Sequence, residues 1–144
     1  MITKEEYAEL MEKLAKVITG REEKEDVNAV IDNFIDTMLS LIAEMIKIAA
    51  TVTHVNNFGS LECEDQKELD DCALEYYSII SMYNNPRNFK ELTEFSDVFR
   101  KLMDISVKAI SLINKNIDSL DEVYRVKIAE ANKTILHYDK NLRL

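Results

Sequence analysis

VNAVIDNFIDTMLSLIAEMIKIAATVTHV, the stretch from Val27 to Val55, decides the fold class of this chain. Val27, Ile31, Phe34, Met38, Leu41, Met45, Ile48, Val52 and Val55 succeed one another by alternating steps of four and three residues. A helix turns once in about 3.6 residues, so only a helix gathers such a series onto one face. Ile35, Leu39, Ile42, Ile46 and Ala49 form a second seam beside the first. Two adjacent seams make a face too wide for one neighbour, which places this helix at the centre of a bundle. Asn33, Asp36, Ser40, Ala43, Glu44, Lys47, Thr51 and His54 occupy the remaining, water-compatible strip. From Asp26 to Val55 such a helix is roughly 45 Å long. The run from Phe34 to Val52 has the length of a bilayer span, but Asp36, Glu44 and Lys47 interrupt it. A buried central helix accounts for that pattern better.

Upstream, Thr3 and Glu6 have the spacing of a capping box, which opens a first helix that runs to Ile18 and is stopped by Gly20. Its stripe is Tyr7, Leu10, Met11, Leu14, Val17 and Ile18. Downstream, Asn56-Asn57-Phe58-Gly59-Ser60 reads as a loop, because Asn and Gly tolerate left-handed backbone angles. A third helix from Leu61 to Met82 carries Leu69, Cys72, Tyr76, Ile79 and Tyr83 on one seam, with Ala73, Tyr77 and Ile80 beside it. Asn84-Asn85-Pro86 ends it, since proline disfavours a helical residue before it and lacks the backbone donor.

Asn88 with Glu91 caps a fourth helix, whose seam is Leu92, Phe95, Phe99, Leu102, Ser106, Ala109 and Ile113 and which runs to Ile117. Ser119 and Glu122 have the spacing of a third capping box, followed by Tyr124, Ile128, Ala131, Ile135, Tyr138 and Leu142. Without a break near Asp118 the last two helices would fuse into a rod of roughly 80 Å. A compact chain has no room for it. The expected fold class is therefore all-α, an antiparallel up-and-down helical bundle of about five helices, in a single domain over residues 1–144.

Composition narrows the function classes. The chain has only two glycines and one proline in 144 residues, too few for the turns of a strand-rich fold. Its formal net charge is −9, from 27 acidic against 18 basic residues, with no basic cluster. That charge opposes direct contact with nucleic acid or an anionic membrane and favours a basic protein partner. Cys63 and Cys72 lie nine residues apart on one helix and so on opposite faces, where they cannot bridge. Cys72 shares the stripe of Leu69 and Tyr76 and reads as a buried, reduced thiol. The opening Met1-Ile2-Thr3-Lys4-Glu5-Glu6 lacks the basic-then-apolar pattern of a secretory leader, and the expected setting is cytoplasmic.

Catalytic signatures are sparse. Di-iron bundles need Glu-x-x-His on a helix, whereas Thr51 precedes His54 and Thr134 precedes His137. Both histidines read as surface residues near helix ends. Gly20 and Gly59 are isolated, so no phosphate-cradling loop is available. Glu5, Glu6 and Glu9, with Glu23 and Asp26, match on paper the acidic pairs that hold magnesium in all-α nucleotide pyrophosphohydrolases. The two groups lie at opposite ends of a hairpin, roughly 20 Å apart at helical rise, too far for one metal cluster. No cofactor, metal ligand or catalytic residue is assigned.

The densest charge feature is Glu62 to Asp71, in which Glu62, Glu64, Asp65, Glu68, Asp70 and Asp71 face a single lysine. It contributes −5 of the total −9. Acids in the first turns complement a helix dipole, and beyond that they offer a docking face to a basic partner. Tyr76, Tyr77 and Tyr83, with Met82 and Phe89, make the end of the third helix aromatic. Adjacent Tyr76 and Tyr77 cannot both point at one narrow seam, and an exposed tyrosine is an interface anchor. The expected function is a non-catalytic protein-interaction module, a small acidic regulator, inhibitor or assembly subunit. Its partner-binding residues are Glu62, Glu64, Asp65, Glu68, Asp70, Asp71, Tyr76 and Tyr77. The width of the second helix also points to self-association. The alternatives are a magnesium-dependent nucleotide hydrolase and a bundle that holds an apolar ligand among Met38, Met45 and Ile46.

Overall fold

A computed structural model describes residues 2–20, 24–58, 61–83 and 92–142. Its helices are α1 (Lys4–Ile18), α2 (Lys24–Phe58), α3 (Cys63–Tyr83), α4 (Leu92–Lys115) and α5 (Glu122–Asn141), and no strand occurs among the described residues. The chain is an all-α, antiparallel up-and-down bundle. Side-chain pairings show the alternation: α3 runs back along α4 from Asp65 beside Lys115 to Tyr76 beside Ser106. In the same way α5 runs back along α2, from Tyr124 against His54 to Tyr138 against Glu44.

α2 occupies the centre, as its two seams require. Phe34, Met38, Leu41, Met45, Ile48, Val52 and Val55 are all buried. Most of the breadth of this face is taken up within the chain, because α1, α3, α4 and α5 all pack on α2, though Ile46 of the second seam stays exposed. α4 shares the central position. Besides Phe95, Phe99, Leu102, Ser106, Ala109 and Ile113 of its predicted seam it buries Val98, Ile105 and Leu112, and also Met103 and Ile110. Each of these sets repeats every seven residues, so α4, like α2, has more than one seam.

Helix ends depart from expectation where local hydrogen bonds intervene. Thr3 Oγ1 accepts from Glu6 N at 3.1 Å, the hydroxyl half of the predicted cap. Gly20 adopts φ of 70° just past α1, the left-handed stop expected of it. α2 continues through Asn56 and Asn57 to Phe58, beyond the predicted loop start. Gln66 of α3 donates to both the carbonyl and the side-chain oxygen of Asn56, at 3.2 and 2.6 Å, which satisfies the helix end from across the turn. The break between α4 and α5 stands at the expected place, as a single turn of 3-10 helix over Ile117–Ser119. Ser119 does not cap α5, however. Its hydroxyl donates to Asn116 O at 2.7 Å, and Asp121 is the N-cap. The predicted Asn88–Glu91 cap, and Gly59, Ser60, Pro86 and Phe89, lie outside the described residues. No helix among the described residues is long and apolar enough to cross a membrane.

Candidate functional site

α3 carries all the residues singled out as partner-binding except Glu62, which immediately precedes it. Its buried stripe is Asp65, Leu69, Cys72 and Tyr76, spaced by four, three and four. Asp65 therefore sits on the inward face. Its Oδ2 accepts from Asn116 Nδ2 at 2.9 Å, and its Oδ1 lies 3.5 Å from Lys115 Nζ. Asn116 in turn accepts from Glu62 N at 3.2 Å, so one amide joins the start of α3 to the end of α4. The Asn116 hydrogen bond, with help from the Lys115 charge, holds the Asp65 carboxyl below its ordinary range. This acid belongs to the fold and not to an exposed coat.

Tyr76 is turned inward too. Its hydroxyl lies 2.6 Å from Ser106 Oγ, in a buried pair that explains why α4's seam carries a serine. Burial pushes its phenol well above the ordinary value. Burial likewise pushes the Cys72 thiol up, away from the reactive thiolate. Cys63 is exposed and, like Cys72, free.

The other six residues face solvent. Glu62, Glu64, Glu68, Asp70 and Asp71 are exposed, and Tyr77 is 74% exposed. Leu74, three residues before Tyr77 and about 60° around the helix, is 68% exposed. The outer face of α3 is thus densely acidic in its N-terminal half, and further on it exposes Leu74 and Tyr77 beside Glu75 and Ser78. On the α2 side, Tyr77 walls an open groove of about 490 Å³. Ile46, Ala49 and Ala50 of α2 and Ala73 and Ile80 of α3 line it, with Thr53, His54 and Asn57 along the rim. Alanines facing each other across the seam leave the space that larger side chains fill elsewhere. Sequence reasoning assigned Ile46 to the second seam, yet it is 39% exposed at this groove. The facing small residues Ala49, Ala50 and Ala73 were the signal for it.

The remaining candidates resolve differently. Met38 and Met45 are fully buried in the core. Among the described residues, no group of three or more His, Cys, Asp or Glu side chains is placed to hold a metal ion. Glu23 and the Asp26 side chain lie outside the described residues. His137 is half-buried instead of lying at the surface, with Nε2 2.9 Å from Ile2 O and Nδ1 3.3 Å from the Asn141 amide. A cleft of about 440 Å³ between α2 and α5 is lined by Lys47, Lys127, Glu44 and Glu130, charges of both signs. Glu44 there accepts a hydrogen bond from Tyr138 and is half-buried, not part of the solvent strip. No family model matches the chain, and neither a curated protein nor a solved structure matches it.

Proposed function

We propose that this chain is a non-catalytic interaction module of the cytoplasm, an acidic helical bundle that binds a basic protein partner through the outer crest of α3. The observation that carries this reading is the segregation along one helix. Five exposed acids precede an exposed Leu74 and Tyr77, and a sixth, Glu75, stands between those two on the acidic side of the helix. Isolated exposed apolar residues are ordinary, but a large aromatic left in water beside an apolar groove and an acidic surface is the composition of a docking site. The acids supply steering and register, and the apolar pair supplies affinity.

The test is a quadruple substitution, Glu64→Gln, Glu68→Gln, Asp70→Asn and Asp71→Asn, which leaves the structural Asp65 untouched. Proteins retained by the immobilised wild-type chain at low salt are expected to be lost from this variant, and lost from the wild type as salt rises. A retained set that is identical for the two proteins at every salt concentration would remove the acidic crest from the account.

A further inference from the structure

We infer that the α2/α3 groove is the seat of an amphipathic helix from a basic partner, with the partner's large apolar side chains between Ile46 and Tyr77 and a Lys or Arg side chain over Asp70, the exposed acid on the groove side of α3. This deepens the interaction-module reading and rests on it. The groove lies between two antiparallel helices and is open along one side, so it offers a third helix the same ridge-and-groove seat that the bundle uses internally. An added strand has nothing to pair with, since no strand exists among the described residues. The volume, about 490 Å³, takes a few inserted side chains while the rest of the ligand remains outside.

Charge selects the occupant. Asp70 stands on the groove-side shoulder of α3, two turns before Tyr77, whereas Asp71, Glu64 and Glu68 are turned about 120–180° from Tyr77, so Asp70 is the α3 acid that the groove's occupant meets. Across the groove the rim of α2 carries Thr53, His54 and Asn57 and no acid. The partner's positive residues therefore belong on one side of its apolar stripe, towards the start of α3. A second copy of this chain would bring another net charge of −9 and set acid against acid.

The probe is a fluorescein-labelled synthetic Leu/Lys amphipathic helix, titrated into the full chain, with a Leu/Glu helix of the same pattern as control. Saturable binding of the Lys helix is expected, with amide NMR shifts concentrated at Ile46, Ala50, Ala73 and Tyr77. Tyr77→Ser is expected to weaken it at least about tenfold, and Val126→Ser, an exposed position on α5, to leave it unchanged. Equal affinity for the Glu helix, indifference to Tyr77→Ser, or shifts confined to other helices would overturn the proposal. A molar mass that doubles with concentration and reverts in Tyr77→Ser would overturn it in favour of a second copy. The broader reading fails separately: if cellular partners depend on the four acids but not on Tyr77, the module stands and the groove falls.

Discussion

Tyr76 and Ser106 illustrate how one buried pair sets both a stability and a pH limit. Ser106→Ala leaves the Tyr76 hydroxyl without its partner in the core and is expected to cost about 1–3 kcal/mol in urea unfolding. Tyr76→Phe is expected to cost less, because a helical serine can turn its hydroxyl to the carbonyl four residues before it. In the unfolded chain the phenol ionises near 10, while burial raises the folded value. Unfolding above that pH therefore releases a proton. The stability linked to this group is intact below about pH 10 and is lost as pH rises beyond it. Tyr76→Phe is accordingly expected to flatten the alkaline limb of a stability profile. Asp65 acts in the opposite sense, since its folded pKa is lowered, first by the Asn116 hydrogen bond. Its contribution is present above about pH 4 and lost as pH falls through the folded value. Asn116→Ala is expected to shrink the acid limb, as followed by circular dichroism from neutral pH downward.

At the level of elements, most of the architecture is legible because the heptad steps and the helix stops are local. Gly20 is such a stop: with φ of 70° and open space around its missing Cβ, it is there for backbone conformation and not for packing. Gly20→Ala is expected to cost about 1 kcal/mol and Gly20→Asn less, as asparagine tolerates the left-handed region better. Thr3→Ala at the other end of α1 is expected to cost about 1 kcal/mol, read as faster amide exchange at Glu6 and its neighbours. What local pattern could not supply is the partner across a turn. The Ser119 spacing imitates a capping box, but the hydroxyl is engaged by Asn116 in the preceding turn. Gln66 extends α2 from another helix. The inward position of Asp65 was legible all the same, because it sits four residues before Leu69 on the seam of α3. Its charge drew it into the acidic cluster, although one hydrogen bond from Asn116 makes it structural.

For the whole molecule, the question is why a chain of net charge −9 carries −5 of it on one helix. Glu64 lies in the first turn of α3, where a carboxylate complements the helix dipole. Glu68, Asp71 and Glu75 lie beyond it and fall with Glu64 into one column at four- and three-residue steps. Like charges at such spacings destabilise a helix by about 0.2–0.5 kcal/mol per pair. Lys67, three residues after Glu64 and four before Asp71, offsets part of the column, whereas Glu68 and Glu75 have no basic residue three or four positions away on α3. If stability alone had shaped this surface, neutralising the column would weaken the fold. The opposite is expected: Glu68→Gln with Asp71→Asn raises the urea midpoint at about 10 mM salt, where the screening length is about 30 Å, and the gain shrinks near physiological salt, where it is about 8 Å. A fall in stability on removing these acids would show that they serve the bundle itself. A rise means that the column costs the fold free energy, as a surface kept for recognition does.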